Sequence, residues 1–121
     1  MPQNRQQAER RGRRAEGWAA LWLTFKGYSI LARNVALRTG EIDLIARKRG
    51  VLVFVEVKQR STLEHGKQAV TAGNWLRISH AAAQWASQRR VYAHFDWRYD
   101  LIVVTPWHRP HHFQDFWRPD E

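Results

Sequence analysis

Gly40-Glu41-Ile42-Asp43-Leu44-Ile45-Ala46, followed after a basic turn by Val53-Phe54-Val55-Glu56-Val57-Lys58, is the stretch that decides the fold. Residues 51–57 are apolar almost throughout and β-branched at Val51, Val53, Val55 and Val57, the pattern of a strand buried on both faces. That strand ends in Glu56 and Lys58, two residues apart, so their side chains project to the same face. Residues 41–47 alternate, which predicts Ile42, Leu44 and Ala46 on one face and Glu41, Asp43 and Ile45 on the other. Acids at the mouth of a buried sheet are costly to desolvate unless something offsets their charge. A divalent cation does so naturally, because hard cations take carboxylate oxygens.

Pairing parity makes this reading exacting. For Asp43 to share a face with Glu56 and Lys58, directly opposed residues must have numbers of odd sum. A two-residue turn at Lys48-Arg49 meets that condition by pairing Arg47 with Gly50. It sets Glu41 opposite Glu56 and leaves Asp43 diagonal to it. A three-residue turn at Lys48-Arg49-Gly50 would send Asp43 to the wrong face, unless a β-bulge intervened.

The chain has 121 residues, enough for one domain with one core. Its formal charge is +9 and its isoelectric point about 11.0, which favours a polyanionic partner, nucleic acid first. Absence of cysteine excludes disulfides and thiolate metal sites. No apolar run reaches membrane-spanning length, and the arginine-rich N-terminus is followed by no apolar signal segment. A cytoplasmic protein without a membrane partner is expected.

Around the central stretch the periodicities predict helix, three strands, helix, then one or two strands. The basic lead-in, residues 1–14, carries Arg5, Arg10, Arg11, Arg13 and Arg14 against Glu9 alone, a group suited to phosphate. A helix over residues 13–26 is expected to bury Ala15, Trp18, Trp22 and Phe25, with Gly27 as its stop. Glu16 falls on the flank of that stripe, where an acid is ordinarily solvated. A first strand covers residues 28–32. A second helix is expected over residues 67–88, with Trp75, Ile78, Ala82 and Trp85 facing the core. Residues 91–95 are a candidate short strand and 99–105 a buried one. The stretch from Pro106 is too aromatic for a free tail and is expected to pack on the body or to build a homodimer. This order is that of an α/β protein, a mixed β-sheet flanked by helices.

The residue types suggest a chemistry. Asp43 and Glu56 suit Mg²⁺ or Mn²⁺, which take few carboxylates, several waters and a substrate phosphate. Lys58 beside them suits orienting a water and steadying transition-state charge. Glu41 has the parity of an outer acid, and Arg60 that of a phosphate contact. Arg13, Arg14, Arg33, Lys48 and Arg49 complete the expected nucleic-acid contacts. His108, His111 and His112 lie close enough for a competing transition-metal site, but in a proline-rich segment they read as tail residues. His65, His80 and His94 are scattered.

Gly40-Glu41-Ile42-Asp43-Leu44-Ile45 with Phe54-Val55-Glu56-Val57-Lys58-x-Arg60 resembles the uncharacterised YraN-like (UPF0102) family. That family is assigned to the PD-(D/E)xK nuclease superfamily and is similar to archaeal Holliday-junction resolvases. Gly12, Ala15-Glu16 and Leu23 fit its N-terminal helix, Arg33-Asn34 the approach to the hairpin, and Arg98-Tyr99-Asp100 its Arg-Phe-Asp. His112 to Trp117 resembles its C-terminal His-x-x-Asp-Ala-Phe. The resemblance implies a restriction-endonuclease-like fold with an α-β-β-β-α-β core, and catalytic roles for Glu16, Asp43, Glu56 and Lys58. Two positions depart from the family pattern. Asn74 stands where relatives usually carry lysine, and Phe116 where they carry a small residue.

Three function classes follow: a Mg²⁺-dependent endonuclease on branched or structured DNA, a nucleic-acid-binding module with a vestigial or partner-dependent site, and an interaction protein that dimerises through its aromatic tail. Carboxylates facing a polyanion repel it unless a cation intervenes, so the acid, acid and lysine set favours the first.

Overall fold

The computed structural model describes residues 5–119, with side chains from Gly12 onward. Side chains of Arg5, Glu9, Arg10 and Arg11 lie outside the described residues. Helix α1 (Arg5–Phe25) leads into strands β1 (Ser29–Ala36), β2 (Glu41–Lys48) and β3 (Val51–Gln59). Helices α2 (Leu63–Gln68) and α3 (Ala72–Ser87) follow, then β4 (Asp96–Val104) and β5 (His111–Trp117). The strands form one sheet in chain order, β1 to β5. Among the described residues only β3 and β4 run parallel, joined by the α2–α3 crossover; the other pairs are antiparallel. The protein is a mixed five-stranded sheet flanked by helices, with the α-β-β-β-α-β order of the restriction-endonuclease-like fold.

The core has two layers. On the α1 side Ala15, Ala19, Ala20 and Leu23 meet Leu44, Ala46, Val53, Val55 and Ile102. On the α3 side Trp75, Ile78, Ala82 and Trp85 meet Ile45, Leu52, Phe54 and Leu101. Central β3 is buried from Leu52 to Val57 on both faces, as its apolar run demands.

Several expectations need correction. Helix α1 starts earlier than residue 13 and buries a different stripe: Trp18 and Phe25 are exposed, and small alanines make the contact. Small side chains let the helix axis lie close to the sheet, leaving the bulky aromatics outside. Its end does stop at Gly27, where φ is +94° and Tyr28 N–H reaches back to Leu23 O. The expected second helix is two helices, broken around buried Val70, with Thr71 capping α3 through its side chain. Residues 91–95 are not a strand; a 3₁₀ turn spans Arg90–Tyr92. The aromatic tail forms β5, with Trp117 stacked on Trp75 and edge-on to Tyr99. Among the described residues no helix is long and apolar enough to cross a membrane.

Candidate active site

The hairpin of β2 and β3 closes on a two-residue turn, one position later than expected. Lys48 pairs with Val51, so the turn is Arg49-Gly50, and Arg49 takes a left-handed φ of 56°. The sum of paired numbers remains odd. Regular pairing ends at Leu44 and Val55, and one residue further the same register sets Asp43, rather than Glu41, opposite Glu56. The predicted alternation also breaks here. Ile42 packs in the α3 layer and Leu44 in the α1 layer, so the strand rotates between them. Asp43 therefore lies in the seam where β2 and β3 part, and its Oδ2 accepts the Val57 N–H at 2.8 Å.

Glu16, Glu41, Asp43, Glu56, Lys58, Asn74 and Arg77 line one cleft of about 490 Å³ at this seam. Glu16 arrives because α1 is rotated: it lies in line with buried Ala20 and Leu23, not on a solvated flank. Its carboxyl and that of Glu56 both crowd Asp43, one from the α1 side and one from the sheet, and carboxyls held this close resist ionising together. Burial pushes Glu56 up to about 9, reinforced by Asp43, with Lys58 and Asn74 pulling the other way. Burial and the Asp43 charge raise Glu16 to about 7, opposed by a hydrogen bond with Asn34 and by Arg13.

A chain of donors supports the acids from α3. Asn74 Nδ2 donates to Glu56 Oε2 at 3.2 Å, and Arg77 Nη2 donates to Asn74 Oδ1 at 3.4 Å. Gly40 lets α3 approach: a Cβ there would lie 2.8 Å from the Arg77 carbonyl oxygen. Arg77 escapes sequence reasoning, and Asn34 enters it only through the Arg33-Asn34 match to the family's approach to the hairpin. The available signal for Arg77 is its helical spacing, one turn beyond Asn74.

Of the expected phosphate contacts, Arg13 and Arg14 lie exposed on α1 near Glu16, Arg33 is exposed on β1, and Arg60 is exposed just past β3. Lys48 and Arg49 are not brought to the cleft. They sit at the hairpin tip, about 20 Å along the strands from Glu56, and Lys48 Nζ turns inward to donate to Lys26 O.

His112 is no tail residue. Its Nε2 meets Asp100 Oδ2 at 2.7 Å and its Nδ1 meets Lys26 Nζ at 2.6 Å. Arg98 grips Asp100 through two hydrogen bonds of 2.8 Å, and Asp115 N–H adds a third donor. His111 meets Thr105, and His108 the Pro106 carbonyl. The three histidines thus have separate partners.

A family model for "Uncharacterised protein family UPF0102" matches residues 15–104, which hold every charged side chain lining the acidic cleft. The chain belongs to the UPF0102 family. Relatives in that family are similar nearly end to end. A UPF0102 protein of Agrobacterium fabrum is 47% identical over 111 residues, covering 92% of this chain and 91% of the relative. One from Paramagnetospirillum magneticum is 44% identical, covering 95% and 92%. A third, from Bartonella bacilliformis, is 46% identical, covering 88% and 87%. The UPF0102 match spans both Asp43 and Asn74, so the acids and the supporting α3 side chains lie within the family's own segment.

Proposed function

We propose that this UPF0102 chain is a divalent-cation-dependent nuclease that hydrolyses phosphodiester bonds in nucleic acid, DNA first. The observation that carries the reading is the pairing of Asp43 with Glu56 in a cleft of a protein of charge +9. A pair of carboxyls forced together serves no packing purpose and repels phosphate, whereas a cation between them reverses both effects.

The residues fit Mg²⁺ or Mn²⁺. Among the described residues no group of three or more His, Cys, Asp or Glu side chains is arranged as a ready cage. Mg²⁺ is commonly held by one or two carboxylates with waters and substrate phosphate, so Asp43 and Glu56 suffice as its protein ligands. When bound, the ion supplies positive charge at the phosphate and makes a water easier to deprotonate.

This chain's side chains do the rest. Val57 N–H fixes one oxygen of Asp43, and Asn74 fixes one oxygen of Glu56, so both carboxylates are held in place before substrate arrives. Lys58, two residues beyond Glu56 and lining the same cleft, orients the attacking water and steadies charge on the phosphorus oxygens. Glu16, beside Asp43 and raised to about 7, is a proton acceptor poised near neutrality. Arg77 lines the cleft and can meet phosphate, supplying the charge that Asn74 does not.

A cleavage assay on linear, flapped and four-way-junction DNA with Mg²⁺ or Mn²⁺ tests this. Wild type is expected to cleave, and Asp43→Ala to lose about 100-fold or more. Salt-dependent binding without cleavage under any of these conditions would overturn the nuclease in favour of a binding module.

A further inference from the structure

The acidic cleft uses one flank of α1. The other flank carries a second cleft of about 780 Å³. Trp18, Trp22 and Phe25 on α1 and Trp107 in the β4–β5 turn line it, with Arg14 and Arg109 at its edge. Trp18 is 59% exposed, Phe25 81% and Trp107 100%. Trp22 and Phe25 stack with ring centroids 5.8 Å apart, and the Arg109 guanidinium lies 5.7 Å from the Trp22 ring centroid. Trp107 also holds a left-handed φ of 64°, a conformation that costs a bulky residue about 1–3 kcal/mol. An indole left wholly in water on a strained backbone is unfavourable twice over.

The two clefts share a wall. Ala15 lines the aromatic cleft and Glu16 the acidic one; Gln59 lines the first and Lys58 the second. Helix α1 and the end of β3 thus separate them by roughly one helix diameter, about 10 Å.

We propose that the aromatic cleft is a stacking platform for the unpaired bases of a single strand, so that the substrate is a duplex bearing a single-stranded arm. Every base has a π-face that stacks on an aromatic ring, and Arg14 and Arg109 offer charge to the backbone that links the bases. No acid is among the described residues lining the cleft, which matches a polyanion. A second copy of this chain suits it less well. A two-fold interface repeats the same surface on both partners, and would bring the copies of Arg14 and Arg109 into a cleft whose described lining has no acid to offset them. Calling the strand part of the substrate rests on the nuclease reading; the binding does not.

The test uses the whole chain in EDTA, where cleavage plays no part. A short oligothymidylate should quench tryptophan fluorescence and bind with salt-dependent affinity. Trp107→Leu should weaken that binding about tenfold, while Trp107→Phe, which restores a π-face, recovers most of it. Affinity for a blunt duplex should change little in either variant, and circular dichroism should match wild type because Trp107 is fully exposed. The proposal is overturned if leucine and phenylalanine behave alike, or if the blunt duplex loses as much as the single strand. It is overturned equally if sedimentation shows a wild-type dimer that Trp107→Leu converts to monomer, since the cleft's occupant is then a second copy. Failure of the cleavage assay with intact oligothymidylate binding removes the nuclease reading and leaves this one standing.

Discussion

The backbone N–H of Val57 donates to Asp43 Oδ2 at 2.8 Å, just beyond the point where β2 and β3 stop pairing. The carboxylate thus replaces a backbone carbonyl and holds the seam open. Two roles meet in Asp43, and two variants separate them. Asp43→Asn keeps an oxygen for Val57 and removes the repulsion with Glu56, so its Tm should equal or exceed that of wild type. Asp43→Ala leaves Val57 N–H without its acceptor, at a cost of about 1–3 kcal/mol. Both should lack cleavage activity; thermal melts compared with the DNA assay check the separation.

The Glu56 carboxyl makes the metal-free protein lose stability as pH rises from about 4.5 to about 9. Its folded pKa is raised, by burial and by Asp43, from 4.5 to about 9. The folded state therefore holds this proton more tightly than the unfolded chain does. The resulting stabilisation is complete below about pH 4.5 and is lost as pH rises to about 9. Glu56→Gln removes this dependence, and in EDTA at pH 8 it should melt several degrees higher than wild type. A Tm that falls at every pH would make Glu56 a structural anchor.

Asp100 is fully buried beneath Arg98 and His112. Burial alone would raise its carboxyl, but the hydrogen bonds from His112 and Arg98 outweigh it and hold the group below its ordinary value. That stability is present above the ordinary carboxylate range and is lost as pH falls through the lowered folded value. Asp100→Ala strands the charge of Arg98 and should cost about 3–5 kcal/mol, read as a large loss in urea midpoint. Because His112 belongs to β5, tryptophan fluorescence from Trp117 should report the same transition.

Gly66 carries α2 against β4. A Cβ there would stand 2.3 Å from Val103 Cγ1. Gly66→Ala should destabilise the protein by about 1–3 kcal/mol through overpacking. Adding Val103→Ala should recover part of that loss, and a double-mutant cycle in urea measures the coupling.

The proposed function puts the DNA contacts on phosphate, so binding to duplex DNA should weaken steeply with salt. Arg13→Ala and Arg60→Ala should each lower the slope of log affinity against log salt by about 0.9. Lys48→Ala should leave the slope unchanged and instead lower Tm, since its ammonium is spent on the end of α1 and lies over the Tyr28 ring.

The sequence by itself determined the central strand, the antiparallel hairpin beside it, the α/β class and the stretch that holds Asp43, Glu56 and Lys58. These are local signals: Leu52 to Val55 is apolar because both of its faces are covered, and that reads directly as composition. It also contained the core stripe of α3, since Trp75, Ile78, Ala82 and Trp85 recur at the spacing of a helix. Only the tertiary structure decided how closely α1 lies on the sheet. With two helix faces carrying apolar residues, size favoured Trp18 and Phe25, whereas close approach selects Ala15, Ala19 and Ala20 and swings Glu16 inward. The rotation of β2 at Asp43 and the pairing of β5 with β4 were equally hidden, because each depends on partners distant in the chain. His112 and Asp100 are twelve residues apart in sequence, and only the return of β5 across the sheet edge brings them into contact.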